Sequence, residues 1–176
     1  MTEYYRRKPL RADFHDYSGG CYFVTICTRE KSHYFGEIYR DEMLLSVVGR
    51  YCQQQFESVN IHYPYAQVLS LVVMPNHVHA IIEIDGGYAL SEELIKNRTH
   101  EPCVPTDFPA VRMALGVVVG GVKRDVTLFA RRSGIVFGWQ GRYHDHIIRG
   151  VDDRNRIAEY IETNVARWRY DCFYSE

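Results

Sequence analysis

Two strand-like segments in the middle of the chain are separated by only three residues. Residues 67–73 and 77–84 are rich in β-branched and other apolar side chains, and Met74, Pro75 and Asn76 lie between them. Proline and asparagine favour tight turns, because proline fixes φ and the asparagine side chain bonds to nearby backbone. The pattern therefore predicts an antiparallel β-hairpin around which the rest of the chain builds its core.

Further strands and helices are predicted on both sides of this hairpin. Residues 21–28 form a β-branched and aromatic run that follows two glycines, which favours a strand. Apolar residues at three- and four-residue spacing favour helices over residues 42–59 and 110–132. Residues 135–149 are typical of extended chain, and the acidic residues 85–109, with several glycines and prolines, predict a surface loop.

A last helix is predicted after Asp152 and Asp153, which are suitable capping residues. Its apolar face comprises Ile157, Ile161, Val165 and Trp168. The resulting order, β-α-β-β-α-β-α, predicts an α+β fold in which helices cover an antiparallel sheet. The length of the chain favours a single domain over residues 1–176, with the polar and basic residues 1–18 forming an arm.

Composition restricts the cellular location and the binding partners that are expected for this chain. The five cysteines are scattered without a C-x-x-C pair, which is typical of reduced thiols and predicts a cytoplasmic protein. No run of ~18 apolar residues and no secretory signal is visible, so we expect no membrane partner. The net charge is only −1, yet residues 123–169 hold ten basic and six acidic residues. The low net charge therefore does not exclude a locally basic surface that binds an anionic polymer.

Two H-x-H pairs are candidates for metal binding. Residues i and i+2 of a strand point to the same face, so His77 and His79 can both reach one ion through neutral imidazoles. Their run is strongly apolar, and two buried histidines there need a metal ion or hydrogen-bond partners. The second pair, His144 and His146, lies in a polar stretch where solvated histidines are ordinary, so a satisfied surface position is the alternative for it.

Tyr160 and Asn164 are four residues apart in the predicted last helix and therefore share a face. An asparagine carbonyl oxygen can ligate a hard cation. A tyrosine phenol can act as a covalent nucleophile when a nearby cation offsets its high pKa. The alternative is that Tyr160, one of 14 tyrosines, simply packs with its hydroxyl exposed.

Basic residues occur beside aromatic ones in three places. Such mixtures suit single-stranded nucleic acid, because cations contact phosphates and aromatic faces stack on bases. The basic candidates are Arg6, Arg7, Lys8, Lys123, Arg124 and Arg149, and the aromatic ones include Tyr4, Tyr5, Trp139 and Tyr143. The P-loop, G-x-G-x-x-G, H-E-x-x-H and G-x-S-x-G motifs are absent from the sequence.

Several motifs in order resemble a known family, the REP-associated tyrosine transposases, a branch of the insertion-sequence-200-like, single-tyrosine HUH transposases. The resemblance covers nearly the whole chain. Its strongest segments are Phe23-Val24-Thr25-Ile26-Cys27-Thr28, Met74-Pro75-Asn76-His77-Val78-His79, Trp139-Gln140 with Tyr143-His144-Asp145-His146-Ile147-Ile148-Arg149, and Tyr160-Ile161-Glu162-Thr163-Asn164.

The resemblance implies a role for each matching residue. His77 and His79 match the HUH pair that holds a divalent metal, for which Mg²⁺ or Mn²⁺ is expected. Tyr160 matches the nucleophile that forms a 5′-phosphotyrosine, and Asn164 matches a residue that completes the metal site. His146 is a possible accessory residue. The implied fold is ferredoxin-like, and the implied substrate is single-stranded DNA that forms a hairpin.

Other expectations stay open at this level. Where the family commonly has Asn-Pro, this chain has Asn164-Val165, so the helix is free to continue. Some branches of the family are homodimers that exchange helices, so both a monomer and a homodimer are considered. A metal-dependent small-molecule hydrolase would use the two H-x-H pairs together. A domesticated DNA-binding protein would keep the fold without cutting.

Overall fold

The computed structural model describes residues 19–89 and 114–174. The predicted arm, residues 1–18, therefore lies outside the described residues, and so do the three basic side chains Arg6, Arg7 and Lys8. Most of the loop predicted over residues 85–109 also lies outside them, although a short helix, Gly86–Ala89, occupies its beginning.

An antiparallel sheet organises the described part of the chain. Its four strands are β1 (Gly20–Cys27), β4 (Ala66–Met74), β5 (His77–Ile84) and β6 (His144–Ile147), arranged in the order β4-β5-β1-β6. The predicted hairpin is confirmed, because β4 and β5 pair from Met74 opposite His77 down to Ala66 opposite Ile84. A two-residue turn, Pro75 and Asn76, joins them.

A second, smaller hairpin corrects one predicted helix. Residues 42–59 were expected to be helical throughout, but Glu42–Leu45 forms strand β3, which pairs with β2 (Gly36–Tyr39). Helix α1 then covers Val47–Glu57, and α2 covers Val59–His62. The apolar spacing continues through both segments, so it does not mark the boundary. The boundary is set by Ser46, whose Oγ accepts the Gly49 N–H at 3.0 Å and starts the helix there.

Helices cover both faces of the sheet. Since side chains alternate along a strand, Val24, Val78 and Ala80 face one layer formed by α1 and α4 (Ala114–Arg132). Ile81 lies on the opposite face and packs against Ile157 of α5 (Val151–Thr163). The predicted α+β architecture is thereby confirmed, and His77 and His79 share the α5 face with Ile81.

The last helix is shorter than its apolar pattern suggests. Helix α5 ends at Thr163, with Asn164 as its C-cap, and turns lead into a 3₁₀ helix, Trp168–Tyr170. The prediction that the helix continues past Asn164 with Val165 and Trp168 on its apolar face is therefore wrong. Trp168 is nevertheless buried, because the turns bring it back beside the sheet, 6.0 Å from the His77 ring.

The short helix Gly86–Ala89 is α3. None of the helices within residues 19–89 and 114–174 combines the length and the apolar character that a membrane span requires.

Candidate active site

Two buried imidazoles form the centre of the site. His77 and His79 are 0% and 1% exposed, and their Nε2 atoms are 3.0 Å apart. They begin β5, directly after the turn, where the strand period of two places both rings on the α5 face. Two ring nitrogens this close need a proton or a cation between them, since two lone pairs repel each other.

Each histidine is oriented by a neighbour through its other nitrogen. Thr25 on β1 lies directly opposite His79, and its Oγ1 is 2.9 Å from His79 Nδ1. Asn76, in the turn, places its Oδ1 2.8 Å from His77 Nδ1, so His77 Nδ1 carries the proton of that hydrogen bond. These contacts direct both Nε2 atoms into the site, which is the role that outer partners have around metal-binding histidines.

The phenol of Tyr160 reaches this centre from the helix. Its hydroxyl lies 3.2 Å from His79 Nε2 and donates a hydrogen bond to Asp171 Oδ2, also at 3.2 Å. The Tyr160 ring packs near His79 and against the edge of Phe23, with centroid distances of 5.2 and 6.2 Å. The structure thus brings together the strand histidines and the helix tyrosine that the sequence motifs single out.

Asp171 belongs to the site although the sequence does not suggest it. One carboxylate oxygen accepts the backbone N–H of Phe173 at 2.7 Å, and the other accepts the side-chain amide of Asn164 at 3.0 Å. A ligand atom from each of His77, His79 and Asp171 lies within 4.8 Å of the others. Asp171 occurs in an irregular segment after the last helix, where no sequence period indicates a partner.

Asn164 lies at the same centre, in contact with Asp171. Its amide nitrogen is used by that contact, whereas its Oδ1 is buried and has no hydrogen-bond partner among the described residues. A buried carbonyl oxygen without a donor is costly, and a cation would satisfy it. Its assignment as a metal ligand stays a prediction, but the orphaned oxygen is compatible with it.

The protonation states suit a cation-binding centre. Burial, and then the proximity of the second imidazole, holds the pKa of His77 well below its usual range, and burial does the same for His79. Both rings are therefore neutral near pH 7, as metal ligation requires. Burial, followed by the charge of Asp171, raises the pKa of Tyr160 to about 12. Burial alone would raise the pKa of Asp171, but hydrogen bonds from Phe173 and Asn164 outweigh it and lower the pKa.

The donor set fits a divalent metal ion. Two neutral imidazoles and a carboxylate converge, and a second oxygen, Asn164 Oδ1, has no other partner. Mixed nitrogen and oxygen ligands of this kind suit Mn²⁺, Zn²⁺ and, with water completing the shell, Mg²⁺. A divalent ion bound by these groups would lower the pKa of the Tyr160 phenol, because a positive charge nearby stabilises the phenolate.

The segment after Asp171 lies over the histidines. The Phe173 ring centroid is 4.7 Å from that of His77, and the Phe173 carbonyl accepts a hydrogen bond from the Asn76 amide at 2.9 Å. Lys31 donates to the Cys172 carbonyl at 3.2 Å. These contacts hold the segment that positions Asp171, so they explain why a residue outside any helix or strand is placed accurately.

The other predicted site residues lie away from this centre. Lys123 and Arg124 are on α4, on the opposite side of the sheet, where the Lys123 ammonium donates to the carbonyls of Gln140 and Arg142, at 2.9 and 3.2 Å. Arg124 pairs with Asp125 at 2.9 Å. Their assignment to DNA binding stays a prediction, and the ammonium of Lys123 is already partly satisfied by the protein itself.

His146 and Arg149 lie near the beginning of α5. His146 Nε2 is 2.8 Å from Asp153 Oδ2, and the backbone N–H of Arg149 donates to the same oxygen at 3.4 Å. Asp153 also receives a hydrogen bond from Arg156 at 2.6 Å. The second H-x-H pair therefore does not join the His77 centre in the described part of the chain, which leaves the hydrolase alternative without the four-histidine cluster that it needs.

A conservative change at Thr25 tests the orientation of the site. Thr25→Val keeps the shape of the side chain but removes the hydroxyl that bonds to His79 Nδ1. We expect Mn²⁺ affinity to fall about 10-fold, because loss of an outer partner typically costs 10–100-fold. Isothermal titration calorimetry measures it, and Thr127→Val, on the exposed face of α4, is the matched control. Unchanged affinity in Thr25→Val would show that the hydroxyl does not orient the ring.

Strand histidines facing a helix tyrosine on an antiparallel α+β sheet are the arrangement that the sequence resemblance implies. Two similar proteins come from one organism. A Haemophilus influenzae protein described as uncharacterized is 34% identical over 97% of this chain and 94% of its own length. A second protein of that organism, named "Putative REP-associated tyrosine transposase", is 25% identical over 90% of this chain and 82% of its own.

A solved structure supports the same relationship at the level of the fold. It is a REP-associated tyrosine transposase bound to a REP hairpin, with a TM-score of 0.53, 21% identity, and coverage of 95% of this chain and 74% of that one. No model of a known protein family matches the sequence. The chain belongs to one family with the first Haemophilus protein, and the resemblance to the REP-associated tyrosine transposases is confirmed.

Proposed function

We propose that this protein is a transposase-type enzyme that cuts and rejoins single-stranded DNA next to a hairpin through Tyr160. The observation that carries the proposal is the position of the Tyr160 hydroxyl, 3.2 Å from His79 Nε2 in the His77–His79–Asp171 centre. A nucleophile beside a cation-binding centre is what phosphoryl transfer needs, because the phosphodiester is anionic and repels attacking oxygens.

The proposed chemistry balances without an external energy source. The Tyr160 oxygen attacks phosphorus, and the bond from phosphorus to the 3′ oxygen breaks. The products are a 5′-phosphotyrosine and a free 3′-hydroxyl, which gains a proton while the phenol loses one. Because the covalent link retains the phosphoester, a 3′-hydroxyl can attack it later and restore a DNA strand.

The residues present divide the work between holding and orienting. His77, His79 and an oxygen of Asp171 or Asn164 would hold a divalent ion, which when bound neutralises phosphate charge and lowers the pKa of the phenol. Thr25 and Asn76 keep the imidazoles in place through their hydrogen bonds. Phe23 packs on the Tyr160 ring and limits its movement.

A hairpin-forming DNA substrate is proposed from the relationships of the chain. The similar solved transposase is bound to a REP hairpin. The basic residues Arg6, Arg7, Lys8, Lys123, Arg124 and Arg149 are proposed to contact the DNA, and a homodimer or a monomer would both accommodate the site. A cytoplasmic location, predicted from the scattered cysteines, is part of this proposal.

Incubation of the wild-type protein with a hairpin oligonucleotide labelled at its 3′ end tests the proposal. In the presence of Mn²⁺ we expect a labelled band that migrates with the protein on a denaturing gel, because the 5′-phosphotyrosine retains the labelled fragment. Binding should weaken steeply as salt is raised, since phosphate contacts release counterions. Salt-dependent binding without any covalent band would instead favour the domesticated, non-cutting protein. Absence of both would reject a DNA substrate.

A further inference from the structure

His144 is an imidazole on the same sheet face as the proposed site that no contact explains. Its side chain is exposed, and within residues 19–89 and 114–174 that side chain makes no hydrogen bond, ion pair or ring contact. Its partner in the H-x-H pair, His146, is bonded to Asp153. The two histidines therefore differ, because one is held by the protein and the other is free to bind a ligand.

The strand register places His144 in the row of the site. Thr25 lies opposite His79 on one side and opposite His144 on the other. Directly paired residues of antiparallel strands point to the same face, so the three side chains form one line across β5, β1 and β6. Since paired Cα atoms are about 5 Å apart, the two histidines are separated by about 10 Å, with only the small Thr25 between them.

Within residues 19–89 and 114–174, the half of the sheet face that carries His144 is the less covered one. Helix α5 packs mainly on β4 and β5, so it leaves the β1–β6 half less covered. Phe23, in the next row, is only partly buried, and His146 beside it is exposed. A flexible strand that brings a phosphate to Tyr160 can continue over this half without a clash with the helix.

We propose that His144 is a DNA-binding residue, which donates a ring N–H to a backbone phosphate of the single strand as it leaves the site across β1 and β6. The inference rests on the proposed function, because it assigns the path of the same DNA. An imidazole carries an N–H donor in either protonation state, so the contact does not depend on titration of the ring. Its location beside Thr25 places that phosphate next to the scissile one.

Binding in the Tyr160→Phe background separates this contact from cleavage. A hairpin oligonucleotide with a single-stranded flank is titrated by fluorescence anisotropy without added metal. We expect His144→Ala to weaken binding about 10-fold, consistent with loss of a hydrogen bond to a charged group, and His144→Gln, which keeps an N–H donor, to recover part of it. His62→Ala, an exposed histidine of α2 beside the opposite layer, is the matched control.

A phosphate scan locates the contact. Single linkages of the flank are replaced by neutral methylphosphonates, and each DNA is tested with both proteins. The parent protein is Tyr160→Phe. At one linkage, next to the scissile one, the methylphosphonate should weaken binding by the parent protein but not by its His144→Ala variant, because two changes within one contact are not additive. Additive losses at every linkage, or a loss caused by His146→Ala and not by His144→Ala, would overturn the proposal.

The outcomes also separate the inference from the proposed function. If the parent protein binds no hairpin DNA, the DNA substrate itself is rejected and the path falls with it. If the parent binds in a salt-dependent way but His144→Ala binds as tightly as His62→Ala, the DNA substrate stands and only the path is wrong. Circular dichroism checks that each variant is folded. We expect His144→Ala to fold normally, because the side chain that it removes is exposed.

Discussion

Tyr160→Phe is expected to abolish the covalent protein–DNA band, with a loss of at least ~1,000-fold, as is typical when a nucleophile is removed. The substitution deletes one oxygen, the atom that lies 3.2 Å from both His79 Nε2 and Asp171 Oδ2. The ring, which packs near Phe23 and His79, is unchanged, so the fold and the imidazole positions should persist. Affinity for hairpin DNA should therefore stay within about two- to threefold of wild type, since loss of one hydroxyl, with the ring and its packing in place, changes stability and binding little.

The chain offers a matched control for this experiment. Tyr170 also lies near the carboxyl end, but its side chain is 90% exposed, whereas that of Tyr160 is 37% exposed. Tyr170→Phe should leave the yield of the covalent band unchanged. An equal band in wild type and Tyr160→Phe would remove Tyr160 from the mechanism, and a band lost only in Tyr170→Phe would move the nucleophile to the 3₁₀ helix.

The central part of the fold was predictable because local signals and tertiary packing agree there. The Pro75-Asn76 step matches the turn between β4 and β5, and the apolar runs at residues 77–84 and 21–28 each match a strand of the sheet. The α+β order follows from them. Where the signals conflict, packing decides: Glu42–Leu45 carries helix-compatible spacing but pairs with Gly36–Tyr39 as a hairpin.

The candidate site was predictable in part. Side-chain period places His77 and His79 on one face, and the family motifs select Tyr160, so the convergence of these three follows from residues that are informative in the sequence. Thr25 and Asp171 were missed for different reasons. Thr25 is one threonine among the apolar residues of β1, and only the register opposite His79 gives it a role. Asp171 depends on contacts of an irregular segment, which have no period.

The turns after Asn164 explain why that segment could not be foreseen. The apolar residues Val165 and Trp168 continue the helical spacing, so the pattern predicts that the helix persists. Instead the chain folds back, Trp168 is buried beside His77, and Asp171 is carried to the Tyr160 hydroxyl. A straight helix through Asp171 would separate that carboxylate from Asn164 by almost two turns, and their 3.0 Å contact would be impossible.

His77→Ala and His79→Ala are expected to eliminate both Mn²⁺ binding and DNA cleavage while leaving hairpin affinity nearly intact. Each change removes one of the two converging Nε2 atoms, which lie 3.0 Å apart in wild type. Loss of a direct ligand should exceed the 10–100-fold effect of losing an outer partner. Both side chains are fully buried, so truncation also opens a cavity, and a thermal melt must accompany each titration.

Titration of two further variants decides which oxygen completes the centre. Asp171→Asn keeps the size of the side chain but removes its charge, and Asn164→Leu removes the orphaned Oδ1 as well as the amide that bonds to Asp171. If Asp171 is the ligand, we expect Asp171→Asn to cause the larger loss of Mn²⁺ affinity, since a carboxylate binds a divalent ion more strongly than an amide oxygen. His62→Ala should match wild type in every assay. Mn²⁺ affinity that is unchanged in His77→Ala and His79→Ala would place the metal elsewhere, and the proposed role of the buried pair would then have to be abandoned.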